Sequence, residues 1–399
     1  MCRLIIFILL SFAWVACGST GGSSSPVAEQ PESTGKIVPE FPITIDVKKE
    51  YPQKELAYED LAGISFIPLE RTPDNLMDIK QSVFITGADI FVEDKYSVQR
   101  FGPDGTFRNK IGRQGRGPGE LAQFTGYMVD TTAREVYMFD NGQQKTVVFG
   151  YDGVFLREFR KADPVYKGGV ERFGTASLLV GRQLQAWGNR PMVPGRLFAI
   201  ISREDGMEQR QAGPYISEKN GRKLTSASRE FIRYGDEVIV EHKESDTIYS
   251  FRPFRSDSLV FKSRYILGPP GFSDGNTLYS VSVLFETDKY GFLFHVKVDA
   301  PVSEKSVKRK MLMADKESGE VFEPAFTFEG EPFIIYPRSA NQDGLAFAIL
   351  PPYLLMEWLE KGKIKNLQLK RIAEGLSEDS NPVLMIFRFK NKDGSPAGA

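Results

Sequence analysis

Phe91-Val92-Glu93-Asp94, Val98-Gln99-Arg100-Phe101, Pro103-Asp104-Gly105, Phe107 and Lys110-Ile111 make a pattern that the chain states once and then restates. The second statement reads Met138-Phe139-Asp140, Val147-Val148-Phe149, Tyr151-Asp152-Gly153, Phe155 and Glu158-Phe159, which sets Asp104 and Asp152 48 positions apart. Each Asp-Gly pair lies between short runs rich in Val, Phe and Tyr. That is the mark of a tight turn joining antiparallel strands, because glycine tolerates the positive φ such turns need. Strand units recurring at a period of about 40 to 50 residues point to β-propeller blades.

Working outward, Ser82-Val83-Phe84-Ile85 and Asp89-Ile90-Phe91-Val92 read as consecutive short strands, and Ile64-Ser65-Phe66-Ile67-Pro68-Leu69-Glu70 alternates like a first blade strand. After Arg160 the repeat blurs. Strand-like runs return at 177–180, 183–187, 197–201, 238–240, 247–251, 258–261, 291–296, 310–314 and 320–322. At that spacing the region from about residue 64 onward holds six blades. Near the end, Pro351-Pro352-Tyr353-Leu354-Leu355-Met356-Glu357-Trp358-Leu359-Glu360-Lys361-Gly362 has Pro at a first helical turn and Gly at the stop, and 367–376 also looks helical. Both precede a last strand, Val383-Leu384-Met385-Ile386-Phe387-Arg388-Phe389-Lys390, which completes the final blade and pairs with the N-terminal part of the ring. The predicted fold is therefore all-β: one six-bladed propeller over 43–399 with short helical insertions near the C-terminus.

The 399 residues are 41% hydrophobic and 26% charged, with 30 Phe and 15 Tyr, ordinary for a globular chain and well suited to strands. Balanced charge, −1 from 51 basic and 52 acidic residues, supplies no field to gather DNA or RNA. At the N-terminus Arg3, the apolar run 4–15 and Ala16-Cys17-Gly18-Ser19 read as a secretory signal. The run is short of the about 20 apolar residues that cross a bilayer. Only Cys2 and Cys17 occur, so cleavage before Cys17 leaves one thiol and no internal disulfide. Residues 18–42, rich in Gly, Ser, Pro, Glu and Thr, read as a flexible tether.

With its Ala-Cys-Gly-Ser ending, residues 1–16 resemble a bacterial lipoprotein signal, departing from it at Trp14, and the resemblance implies acylation of Cys17. Together with Gly112-Arg113-Gln114-Gly115-Arg116-Gly117-Pro118-Gly119-Glu120 between the Asp-Gly repeats and Asn381-Pro382-Val383-Leu384 near the end, this start resembles the six-bladed β-propeller lipoproteins common in Bacteroidetes, with NHL-like blades. What the resemblance implies is fold and compartment: the cell envelope, lipid-anchored, at the outer membrane.

Candidate chemistry is sparse. The glycine-rich loop has the amides to line an anion site, but it lacks the Lys-Ser or Lys-Thr ending of a phosphate loop and opens no helix. It reads either as a tight connection between blades or as a rigid mount on which Arg113 and Arg116 pair with a carboxylate or sulfate. Between these two arginines, exposure is expected of Arg113 and a structural pairing of Arg116, with Glu120 or a neighbouring Asp as its neutralising partner. Asp94, Asp140, Glu93 and Asn141 sit where strands give way to loops, as turn formers or as oxygen ligands for Ca²⁺ in a central tunnel. His242 and His295 are too few for a multi-histidine zinc site and read as packed or solvent-facing; no Gly-x-Ser-x-Gly elbow occurs. Trp187, Tyr166 and Tyr215 lie in the blurred middle, as core or as stacking platforms for sugars. The sequence favours a membrane-tethered binding or scaffolding module with a glycan, peptide or envelope-protein ligand over its rival, a hydrolase or lyase with a metal ion in the tunnel.

Overall fold

The structure is a computed structural model that describes residues 42–77, 82–160, 170–182, 194–216, 231–241, 246–253, 260–268, 277–301, 303–333, 335–340 and 345–391. Its strands form six sheets arranged as a six-bladed β-propeller, as the repeat predicts. Blades one, two and three are four-stranded antiparallel meanders within 83–111, 124–160 and 170–216. Blade four lies within 231–268 and blade five within 277–328. Blade six joins Arg338–Ser339, Leu345–Leu350 and Val383–Phe389 to Ala62–Pro68 from the other end of the chain.

Packing explains which strands read as continuous apolar runs. In blade two, Glu135–Asp140 and Lys145–Gly150 are buried along almost their whole length because both faces of the blade are covered by neighbouring blades. The outer strand, Phe155–Arg160, is largely exposed and mixes Arg157, Glu158 and Arg160 with exposed Phe155 and Leu156. A hydrophobic cluster fills each blade boundary; Phe91, Val98, Ile111, Val136, Met138 and Phe149 form the one between blades one and two. The cluster between blades five and six also takes Leu355, Leu369 and Ala373 from two helices, Pro352–Glu360 and Leu367–Glu374, inserted before the last strand.

The Asp-Gly repeat has a second purpose besides turning the chain. Gly105 and Gly153 have φ of 88° and 83°, and each turn presses on the outer strand of the preceding blade. A Cβ on Gly105 would stand 2.1 Å from the Pro68 carbonyl oxygen, and one on Gly153 2.9 Å from that of Lys110. Asp205-Gly206 in blade three repeats the device: φ is 73° and a Cβ would meet the Phe159 ring at 2.4 Å. Asp104, Asp152 and Asp205 each accept the amide two residues on, at 3.0, 3.0 and 3.1 Å. The unit therefore recurs three times, once more than the sequence reading recognised.

The other half of the ring is held differently. Ile43–Asp46 pairs in parallel with Lys262–Gly268, the outer strand of blade four, and Gln53–Ala57 pairs in parallel with Val321–Phe328 of blade five. The chain then turns through Tyr58–Leu61 into Ala62–Pro68. Residues 43–68 thus run as a belt around three consecutive blades. Buried His295 ties the belt inward: its Nε2 lies 2.8 Å from the Val47 carbonyl, an acceptor only, so Nε2 carries the proton. Burial pushes the imidazole pKa down, outweighing that hydrogen bond.

Two expectations about closure resolve here. Val383–Phe389 does pair with the N-terminal region, register Val383 to Pro68 through Phe389 to Ala62. The stretch 64–70, expected as the first strand of a first blade, is instead the outer strand of the last one, because only a non-local partner completes that sheet. Buried Asn381 secures the seam, donating to the Glu70 carbonyl at 2.8 Å and accepting the Met77 amide at 3.3 Å. The run at 183–187, residues 258 and 259 of the run at 258–261, and His242, Tyr166 and Trp187 lie outside the described residues.

Candidate functional site

The Asp-Gly turns open on one end of the ring, so connections between blades and turns between second and third strands gather at the other. Asp94 and Asp140 close such turns after Ile90–Glu93 and Glu135–Asp140, and the glycine-rich stretch leads from Phe107–Ile111 into Phe124–Asp130. Arg113, Arg116, Asp94 and Asp140 therefore share one end, at blades one and two.

The loop is clamped from within. Glu120 folds back and accepts the Gly117 amide at 2.9 Å, so close to Gly115 that a Cβ there would stand 2.0 Å from its carboxylate. Gly119 donates to Glu158 at 3.0 Å, and buried Lys145 bridges Glu158 at 2.8 Å and the Gly117 carbonyl at 3.3 Å. Below them Leu121 is fully buried and donates to the Arg113 carbonyl. The anion-binding amides foreseen in this loop are thus engaged by the protein's own carboxylates. Their pKa values follow. Glu120 is lowered chiefly by the Gly117 amide and then by Arg113. For Glu158, burial works upward, but Lys145 and the Gly119 amide carry it below its usual value.

Asp140 is the anchor of this arrangement. It is fully buried, and it accepts the amides of Ala122 and Gln123 at 2.8 and 2.9 Å and those of Gly142 and Gln143 at 2.8 and 3.2 Å. Burial would raise its pKa, but those amides lower it, as expected of a carboxylate ringed by N–H donors. Asp94, also buried, accepts from Ser97 and Gln99 and lies 3.7 Å from Lys110. Both side chains act as turn and loop holders.

Arg113 is exposed as expected, but the pairing with Glu120 expected of Arg116 falls to Arg113 instead. Arg113 pairs with Glu120 at 3.1 Å while remaining 75% exposed, and exposed Arg116 makes no ion pair among the described residues. The reason is local: Glu120 already serves the Gly117 amide, and from there its second oxygen reaches the Arg113 side.

At the opposite end lies a set of charges that the sequence reading missed. In blades one, two and four a carboxylate at the start of the second strand binds an arginine of the same blade's fourth strand: Asp89 with Arg108, Glu135 with Arg157, and Glu237 with Arg264. Further partners stitch adjacent blades, as Arg203 does to Glu135 at 2.7 Å and buried Glu286 of blade five does to Arg264 of blade four, while Lys316 of its own blade also pairs with Glu286. Glu171 and Arg233 pair between the inner strands of blades three and four. The available signal was an Arg two or three positions into the fourth strand recurring with an acid 19 to 27 residues earlier. Among the described residues, no group of three or more His, Cys, Asp or Glu side chains is placed to hold a metal ion.

No curated protein matches the sequence. Among solved structures, the chain is similar to a Bacteroides fragilis protein described as exported, at 16% identity and TM-score 0.60, covering 88% of this chain and 99% of that one. A DUF4221 family member from Bacteroides vulgatus, at 10% identity and TM-score 0.46, covers 83% and 98%, and virginiamycin B lyase from Staphylococcus aureus, at 9% and 0.42, covers 82% and 99%. The first of these likenesses bears on fold alone. The model of the DUF4934 family, a domain of unknown function, matches residues 42–388, and the chain belongs to that family.

Proposed function

We propose that this protein is an exported, lipid-tethered propeller that binds an acidic ligand at the end of the ring carrying the 112–123 loop. The observation that carries this reading is Arg116: an exposed guanidinium without an ion-pair partner among the described residues, on a loop held rigid by Glu120, Glu158, Lys145 and Asp140. A preorganised guanidinium loses little freedom when a carboxylate or sulfate takes both of its donors, and Arg113, held loosely at the surface, stands ready beside it. Acidic glycans and acidic peptides are the ligand classes this chemistry suits. Asp94 and Asp140 enter as the residues that hold the presenting loops.

The tethering half of the reading rests on Ala16-Cys17-Gly18-Ser19. Acylation of Cys17 with several chains retains the ring at the envelope, since one chain anchors only marginally. The binding half is tested by screening acidic and neutral glycans and peptides against the wild-type chain and Arg116→Ala. Selective loss of acidic ligands at unchanged melting temperature supports it, and equal binding by both proteins overturns it. For the tether, Cys17→Ala is expected to move the protein out of the membrane fraction or block its maturation. A mature Cys17→Ala protein that stays membrane-bound would refute acylation.

A further inference from the structure

We propose that the helical insertion of blade six, at residues 361–371, is a contact surface for an anionic lipid bilayer. Lys361, Lys363, Lys365, Lys370 and Arg371 crowd into eleven positions of a chain whose net charge is −1, and all five are exposed. In their midst Leu367 is 71% exposed, the most of any large apolar side chain among the described residues. Leu367, Lys370 and Arg371 follow helical spacing i, i+3, i+4 and so share the outer face of Leu367–Glu374, whose opposite face buries Leu369 and Ala373.

The surface is held in shape from below. Glu329, in the blade-five hairpin, accepts the amides of Lys365 and Asn366, both at 2.8 Å, and the Asn366 side chain caps the helix by accepting the Leu369 amide at 3.0 Å. Two of the cations have protein partners: Lys361 pairs with Glu357, and Lys365 with the Glu329 carbonyl and, at 3.9 Å, with Glu331. Lys363, Lys370 and Arg371 make no ion pair among the described residues. Three cations that make no ion pair among the described residues lie within four positions of one exposed leucine, so charge complementarity calls for an anionic surface that also admits a small apolar group.

Residue type decides between a bilayer and an acidic protein. Protein interfaces favour Arg and are depleted of Lys, since ordering a long ammonium side chain against a fixed partner is costly. Four of the five cations here are lysines. Mobile lipid headgroups need only point charges, and an interfacial leucine enters between them. This surface is separate from Arg116 and does not depend on acylation of Cys17.

The experiment uses the chain from Gly18, so that neither leader nor acyl group contributes, in co-sedimentation with vesicles of pure phosphatidylcholine or with about a quarter phosphatidylglycerol. Binding to the anionic vesicles alone, suppressed by raised salt, is expected. Lys363→Glu/Lys370→Glu should weaken it by about tenfold or more, and Leu367→Ser, which keeps the charge, by a few-fold. Lys308→Glu/Arg309→Glu, an equal charge change at an exposed pair on blade five, should leave it within about twofold. Equal losses in both charge-reversed variants, no vesicle binding by the wild type, or capture by polyglutamate without vesicle binding would each overturn the proposal.

Discussion

Blades one to three and blades four to six face the same two problems, a gap to the neighbouring blade and an exposed outer edge, and treat them differently. In the first half each blade carries its own answer to the gap: an Asp-Gly turn with φ between 73° and 88° that seats on the preceding outer strand. Among the described residues nothing pairs beyond those outer strands. In the second half a single segment, 43–68, covers two edges in parallel and supplies the outermost strand of the third. Local seating is cheap in sequence but leaves edges open; the belt protects edges but makes half the ring depend on one distant stretch.

The comparison is broken most directly by deleting 62–68. Blade six then loses its outer strand, Phe66 leaves the cluster between blades five and six, and Gly105 loses the Pro68 carbonyl on which its turn rests. No cooperative thermal transition is expected, with aggregation through the exposed edge. A soluble protein of unchanged melting would show that the belt is an ornament and the blades self-sufficient. Deleting only 43–57 should be milder, because blades four and five keep four strands of their own.

A smaller effect, still large for one residue, falls on the ionic stitching of the belted half. Glu286 is wholly buried, which alone would raise its pKa, but Arg264 and Lys316 hold it down to about 2. Replacing it by Ala takes the carboxylate away from buried Lys316 and leaves buried Arg264 its pair with Glu237, and should cost about 3–5 kcal/mol. Its linkage has a definite sign. The folded-state pKa is depressed, so the stabilisation is full above the unfolded carboxylate value near pH 4.3 and is lost as pH falls towards 2. Glu135 in blade two, for which burial also works upward, is likewise held to about 2 by Arg157, Tyr137 and Arg203, so acid should loosen both halves. Stability measured between pH 5 and pH 2 for wild type and Glu286→Gln checks this. Parallel curves would remove Glu286 from the acid response.

These contrasts also explain what could be read from the chain. The all-β class, six blades and terminal helices were legible because each rests on local pattern: period, turn glycines, and Pro and Gly at helix ends. Asp205-Gly206 was equally local, but the strands around it lack the aromatic runs of the earlier copies. The belt was legible only at its end, where 64–70 read as a strand though of the wrong blade. Its first two strands are four and five residues long, and their partners lie more than two hundred residues away. At the candidate site, Asp140 showed itself as a strand-ending acid, yet its work depends on amides brought to it by folding. The pairing of Arg113 rather than Arg116 turned on where the Glu120 side chain folds, which spacing does not encode.

Glycine substitutions sharpen the comparison at a lower level. Gly105→Ala must place a methyl 2.1 Å from a backbone oxygen at φ 88°, and should cost more than about 3 kcal/mol. In the belted half Gly319 has φ 73° but open space around its Cβ position, so Gly319→Ala should cost only the about 1–2 kcal/mol of the left-handed backbone. Equal losses in melting temperature would mean that the Asp-Gly turns are turns only, without a seating role.

The smallest effects on stability, and the most informative about function, belong to the arginines. Arg113→Ala breaks an exposed pair with Glu120, and such pairs contribute at most about 1 kcal/mol; Glu120 also keeps its tie to the Gly117 amide, so the loop should hold. Arg116→Ala removes an exposed side chain that makes no ion pair among the described residues, and the change should stay within about 0.5 kcal/mol. Asp140→Ala supplies the reference: four amide partners lose their acceptor, and the loop should come free with a clear drop in melting temperature. If Arg116 faces a ligand, Arg116→Ala lowers affinity at constant stability and Asp140→Ala lowers both, because a freed loop no longer presents the guanidinium. Should Arg116→Ala instead melt as early as Asp140→Ala, Arg116 belongs to the scaffold and the ligand must be sought elsewhere on this end of the ring.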